Sequence, residues 1–266
     1  MSKLIFGPAG LGPIKTAEQV LEEYAKKGIK SCEIAFTYSI YIKNKEDAER
    51  IGRRAKSLGI TLSIHAPYWV NLNSSEKAKL KATQQRILDC LKVGTWLEAD
   101  SVVFHPGYYG KMSREETYDN VKNAIKEIID EAKKEKYTPR VAPETMGKVN
   151  VFGSLDEVLK LVGDLNCSCC IDFAHILARE KKVDYKSVIS KLEKAGIKNL
   201  HVHFSGIEYG DKGEKKHIPT NEAALKELIK ELKAANFKEV NIINESPQMI
   251  EDTLKGIKMY NSFNTI

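Results

Sequence analysis

The side chains with the most evident chemistry in this 266-residue chain are imidazoles and carboxylates. Six histidines occur, His65, His105, His175, His201, His203 and His217, and each falls on or just after a short apolar run that reads as a strand. Carboxylates take equivalent places: Glu144 after Val141-Ala-Pro143, Asp172 after Ile171, and Glu245 after Asn244. A satisfied core or surface residue is the usual explanation of any one histidine. It does not explain the set, because histidines without functional pressure would also fall on the helical segments. Imidazole with carboxylate and no thiolate suits Zn2+, with Mn2+ or Fe2+ as alternatives. One zinc takes three or four donors. His65, His105, Glu144, Asp172, His203 and Glu245 exceed that number, so two or more ions sharing a carboxylate are expected. His175 and His217 are left for a further ion. The H-E-x-x-H arrangement of helix-borne metalloproteases is absent, which argues against peptide hydrolysis of that type.

The elements that must position these donors follow from periodicity. Short β-rich runs are expected at Leu4–Phe6, Ser31–Ala35, Thr61–His65, Ser101–His105, Arg140–Glu144, Cys169–Asp172, Asn199–Phe204 and Glu239–Asn244. Amphipathic helical patterns alternate with them at Thr16–Lys27, Glu46–Leu58, Ser75–Leu97, Ser113–Lys134, Ser154–Val162, Asp184–Ala195, Asn221–Ala235 and Pro247–Tyr260. Ser113 and the Ser74-Ser75 pair supply N-cap hydroxyls, and Gly28, Gly59 and Gly196 supply left-handed helix stops. Alternating strands and helices with short connections make a parallel sheet wrapped by helices, and eight units favour closure. The expected fold is one (β/α)8 TIM barrel domain over residues 1–266, a length usual for such barrels. Barrel active sites lie at the C-terminal ends of the strands, which is where the donors fall. His201 and His203 share parity on one strand. His203, nearer the strand end, is the expected ligand, and His201 is either a support behind it or a buried polar residue.

Composition narrows the remaining classes. An apolar fraction of 42% with 29% charged residues fits a globular protein with a sizeable core and excludes disordered and fibrous chains. The opening MSKLIFGPAG is too short an apolar run for a signal peptide, and no stretch approaches ~18 apolar residues, so a cytoplasmic protein with no membrane contact is expected. Five cysteines in so large a chain argue against a disulfide framework. Cys167 and Cys170 form a lone C-x-x-C without a second ligand pair, and packing is its expected role. Gly7, Gly10 and Gly12 spell G-x-x-G-x-G, which is not the dinucleotide fingerprint, and no P-loop is present. The net charge of +6 permits a phosphate-bearing partner without requiring one.

Several stretches together resemble the endonuclease IV family of apurinic/apyrimidinic endonucleases, within the xylose-isomerase-like barrels. They are Ile64-His-Ala-Pro-Tyr68 followed by Asn71-Leu72, Phe104-His-Pro-Gly107, Pro143-Glu-Thr145, Cys170-Ile-Asp-Phe-Ala-His175, the His203 strand, and Asn244-Glu245. The likeness covers nearly the whole chain and implies three zinc ions. By it, His65 and His105 hold the first with a bridging Glu144, Asp172, His203 and Glu245 surround the second, and His175 and His217 hold the third. The family pattern Asp-x-His is Lys215-Lys216-His217 here, which leaves the third ion weak, absent, or completed by Asp211 or Glu214.

The resemblance also implies a monomer acting on double-stranded DNA with abasic sites, cutting the phosphodiester 5′ to the lesion by metal-assisted hydrolysis. Tyr68 matches a family position that enters the duplex. The loop Ala35–Asn44 lacks the longer arginine-bearing segment of bacterial members, so Tyr38, Tyr41 and Lys43 contact the sugar-phosphate backbone or pack the loop. Two other readings stand beside this one. A metal-dependent sugar isomerase or epimerase of the same superfamily would use Glu144 and Glu245 as its acid/base pair. A damaged-DNA-binding homologue with reduced catalysis would keep the surface and lose the chemistry.

Overall fold

The computed structural model describes residues 1–263 and contains all eight expected strands. They are β1 (Lys3–Pro8), β2 (Ser31–Ala35), β3 (Thr61–His65), β4 (Ser101–Phe104), β5 (Arg140–Pro143), β6 (Cys170–Asp172), β7 (Asn199–Phe204) and β8 (Glu239–Asn244). Every pairing among them is parallel. Two four-stranded arcs result, β2-β3-β4-β5 and β1-β8-β7-β6. One seam is closed by the Glu144–Cys170 bridge and by the Thr145 amide, which donates to the Cys170 carbonyl at 3.1 Å. At the other, the Lys30 amide donates to the Phe6 carbonyl at 3.1 Å. A Cβ on Gly7 would lie 2.0 Å from the Ser31 carbonyl oxygen, so β1 and β2 can meet there only because one strand has no side chain.

The helices are α1 (Ala17–Lys26), α2 (Lys45–Ser57), α3 (Lys77–Trp96), α4 (Arg114–Lys134), α5 (Leu155–Leu165), α6 (Phe173–Glu180), α7 (Tyr185–Lys194), α8 (Glu222–Ala234) and α9 (Met249–Ser262). Ser113 caps α4 as expected, and Gly28, Gly59 and Gly196 follow their helices in the left-handed region. The Ser74-Ser75 expectation was wrong in detail. α3 starts at Lys77 with Glu76 at its N-cap, while Ser74 Oγ accepts from the Glu76 amide in a local turn outside the helix.

Three features were not anticipated. Helix α6 follows β6 directly, an antiparallel hairpin pairs Gly206–Gly210 with Gly213–Ile218, and Gly107–Tyr108 pairs with Val151–Phe152. His175 therefore lies in a helix and His217 in a hairpin, not on strands or simple loops.

Alternation along the strands sorts side chains to two sides. On β7, Leu200, Val202 and Phe204 join the apolar layer under the helices, while His201 and His203 turn inward. The interior is partly polar, with Glu33, Ser63, His201 and Asn241 buried below the strand ends. No helix of the described residues is long and apolar enough to cross a membrane.

The Gly7 contact generates a test of the closure. Gly7→Ala is expected to cost about 2 kcal/mol or more of unfolding free energy in denaturant titration, the upper range for overpacking. A loss under about 0.5 kcal/mol, as at ordinary surface sites, would mean that the seam can move apart.

Candidate metal centre

Glu144 sits where β5 hands over to the seam with β6, and its side chain is 1% exposed. Its two oxygens divide the surrounding imidazoles. Oε2 lies 3.1 Å from His65 Nε2 and 3.3 Å from His105 Nε2. Oε1 lies 3.2 Å from His203 Nδ1 and 3.3 Å from His175 Nδ1. This is the placement a bridging carboxylate needs, one oxygen for each of two neighbouring positions.

The imidazoles are held by local chemistry. His65 Nδ1 lies 2.7 Å from the Ala66 carbonyl and His175 Nδ1 lies 2.9 Å from the Thr145 carbonyl. A carbonyl only accepts, so both Nδ1 atoms carry protons, and Nε2 is the nitrogen that offers a lone pair when the ring is neutral. His175 stands in the first turn of α6 because Asp172 caps that helix, Oδ1 accepting from the His175 amide at 2.8 Å. The other Asp172 oxygen, Oδ2, is buried without a hydrogen-bond partner among the described residues and lies 3.3 Å from His175 Nδ1. Glu245, at the end of β8, places Oε2 3.5 Å from His203 Nδ1.

Four groups of donors come together among the described residues, each with its atoms within 4.8 Å of one another; one, Cys170, His201 and His203, lies inside the barrel, and three lie at the strand ends: His65, His105 and Glu144; Glu144, Asp172, His203 and Glu245; and Asp172, His175 and His217. The eight ligands His65, His105, Glu144, Asp172, His175, His203, His217 and Glu245 each belong to at least one of the three. The orphaned Asp172 oxygen and the all-nitrogen-and-oxygen donor set fit a divalent cation such as zinc.

The Lys215 departure resolves geometrically. Lys215 and Lys216 point out of the hairpin, their Nζ atoms 3.7 and 3.2 Å from Glu208. Glu214 points in, with Oε2 3.4 Å from His175 Nε2. Asp211 is exposed at the hairpin turn. The hairpin reaches the centre because Gly213 takes a positive φ of 93° and lies so close to Gly147 that a Cβ would meet its carbonyl oxygen at 2.2 Å. Of the two carboxylates considered for this site, Glu214 is therefore the one in range.

A cavity of about 470 Å³ opens above the donors, lined among others by His65, His105, Glu245, Tyr108 and Lys148. Tyr68 also lines it, stacked on His105 with ring centroids 5.3 Å apart. Tyr38 and Lys43 are exposed on the β2 loop and do not line this cavity, while Tyr41 packs edge-on against Phe36 at 5.2 Å. The sequence reading passed over Glu33, Trp69 and Lys148. Of these only Glu33 carried a signal, a lone acid within the otherwise buried strand Ser31-Cys-Glu-Ile-Ala35.

Burial alone would push the buried carboxyls toward neutrality. Against that, His203, His105 and His175 hold Glu144 well below the usual carboxylate range, and His203 and His201 do the same for Glu33. Burial likewise opposes charge on His65, but Glu144 outweighs it and raises the imidazole from 6.5 to about 9. In the metal-free protein this raised pKa contributes stability that is complete below pH 6.5 and is lost as pH rises through about 9. Chelated protein is therefore expected to melt at lower temperature as pH goes from 6.5 to 9. Zinc-loaded protein should hold or gain over the same window, since coordination needs the neutral imidazole. Calorimetry of both forms reads this, and a flat or rising chelated curve would contradict it.

Comparison with known proteins places this geometry. Residues 21–263 match the family described as xylose isomerase-like TIM barrel. An uncharacterized protein of Methanocaldococcus jannaschii is 37% identical over 97% of each chain. A probable endonuclease 4 of Persephonella marina is 25% identical over 81% of this chain and 80% of its own. Among solved structures, a D-tagatose 3-epimerase-like protein superimposes with a TM-score of 0.70 at 21% identity, covering 98% of this chain and 97% of the other. The chain belongs to the xylose isomerase-like TIM barrel family and is related within it to the endonuclease 4 proteins.

Proposed function

We propose that the protein is a zinc-dependent apurinic/apyrimidinic endonuclease that hydrolyses the DNA phosphodiester 5′ to an abasic site. The observation that carries this reading is the third donor group. His175, His217 and Asp172, with Glu214 beside them, extend the centre beyond the one or two ions that a proton-moving sugar site requires. Relatives named probable endonuclease 4 support it.

His65, His105 and Glu144 would hold one ion, Glu144, Asp172, His203 and Glu245 a second, and His175 and His217 with Asp172 or Glu214 a third. Bound there, the ions would supply Lewis-acid charge to the scissile phosphate and make water a competent nucleophile at neutral pH. Glu245, with 18% of its side chain exposed, is open enough to take the proton given up by the attacking water. A new bond forms from the water oxygen to phosphorus as the bond to the 3′ oxygen breaks. The products are a 3′-hydroxyl and a 5′-deoxyribose phosphate. Lys148, on the cavity wall, offers a cation to the phosphate. Tyr38, Tyr68, Trp69 and Tyr108 are all exposed on loops after β2, β3 and β4, where flat rings suit stacking against bases beside a gap in the duplex.

The sugar-epimerase reading draws on the shared fold of the epimerase-like structure. Glu144 weighs against it, because both its oxygens are already engaged by imidazoles and neither is free to carry a substrate proton.

The direct test is a duplex with a single abasic site, incubated with zinc-replete and with chelated protein. Incision should require metal, and Glu144→Gln should lower its rate at least about a hundredfold, since loss of a ligand's support alone can cost 10–100-fold. Metal-independent cutting, or full activity in the variant, sinks the mechanism. Ketose interconversion without incision would favour the epimerase, and tight abasic-selective binding without incision the catalytically reduced homologue. The outward lysines give a separate expectation. If they meet phosphates, Lys215→Ala with Lys216→Ala should flatten the slope of log affinity against log salt by up to about 2 on duplex DNA. An unchanged slope would place the hairpin away from the backbone.

A further inference from the structure

Beneath the candidate ligands lies a carboxylate that belongs to none of the three donor groups. Glu33, the third residue of β2, is wholly buried inside the barrel. Its Oε2 accepts from Ser63 Oγ at 2.9 Å and faces His201 Nε2 at 3.0 Å. Its Oε1 lies 2.9 Å from Nε2 of His203. The opposite nitrogen of that same ring, Nδ1, is the one turned to Glu144 and Glu245. Neither Glu33 Oε1 nor His203 Nε2 has a hydrogen-bond partner among the described residues, although they are within reach of each other. His201 is backed in turn by the side-chain amide of Asn241, 3.4 Å from its Nδ1.

A buried carboxylate is retained only when it is compensated. The compensation here is specific: one oxygen is held by Ser63 and His201, which leaves the other 2.9 Å from the back of a candidate ligand. An imidazole that binds an ion through one nitrogen has a proton to place on the other, and a carboxylate that receives it fixes the tautomer, limits ring rotation and raises the donor strength of the binding nitrogen.

We infer that Glu33 positions His203 for the second ion, receiving the Nε2 proton so that the Nδ1 lone pair faces Glu144 and Glu245, with His201 and Ser63 holding Glu33 in place. The inference rests on the metal-centre reading above and not on the choice of substrate. It also accounts for His201, which supports the carboxylate and does not itself face the donor groups above.

The test counts and titrates ions and needs no activity assay. Wild-type protein is loaded with Zn2+, and separately with Co2+, and the ions are withdrawn with a competing chelator. Glu33→Gln should release one class of ion 10–100-fold more readily, the range for lost outer-sphere support, with the rest retained as in wild type. Unchanged affinities for every ion overturn the inference. So does a thiolate-to-cobalt charge-transfer band in the loaded wild type, which would put an ion on the inner group of Cys170, His201 and His203 instead. Should Glu33→Gln not fold, ring-nitrogen NMR of zinc-loaded wild type decides. His203 should show a metal-bound Nδ1 and a protonated Nε2, and the reverse assignment overturns the inference. Wild type that takes up no ion at all refutes the metal-centre reading itself, and this is read before any variant is compared.

Discussion

Glu144 is a buried charge that has to be met on both oxygens, and much of the barrel's C-terminal end is arranged around meeting it. Two imidazoles from the β3 and β4 ends face one oxygen and two from α6 and β7 face the other. These partners come from both arcs of the sheet, so they converge only where the arcs meet. The seam between β5 and β6 runs through Glu144 itself, by way of its bridge to Cys170. Closure and the site are in this respect one requirement, because opening that seam would strand a carboxylate whose burial is otherwise expensive.

The donors are held by more than their strands. Asp172 uses one oxygen to cap α6 and leaves the other bare toward the cluster, so the capping interaction that starts the helix also sets where His175 stands. Gly213 lets the hairpin lie against the loop after β5, and this places Glu214 inward and the two lysines outward. Beside the sequence position that departs from the family pattern, a carboxylate is turned toward His175, and the two lysine charges are left on the surface. Below, Glu33 and His201 fill the interior with a compensated polar pair where many barrels pack branched apolar residues.

A fold shared with sugar epimerases does not choose the chemistry. What separates the readings lies above and beside the Glu144 cluster. Exposed aromatic rings stand around the mouth, a lysine sits on the wall, and a third group of donors is shared through Asp172. These are the features on which the proposed nuclease reading draws.

The sequence by itself determined the order of strands and helices, their closure into a barrel and the residue types at the strand ends. Each of these depends on local periodicity, on cap and stop residues, or on chemistry carried by single side chains. Only the tertiary structure decided that Glu144 divides four imidazoles between its oxygens, that Glu214 and not Asp211 stands by His175, and that Glu33 lies behind His203. Helix α6 was hidden because its eight residues, Phe173–Glu180, make little more than two turns and start directly at the end of β6, and the hairpin because its pairing contains a bulge that breaks simple alternation. Glu33 and His203 are separated by 170 residues in the chain, and no local pattern records a contact made across the inside of a closed barrel.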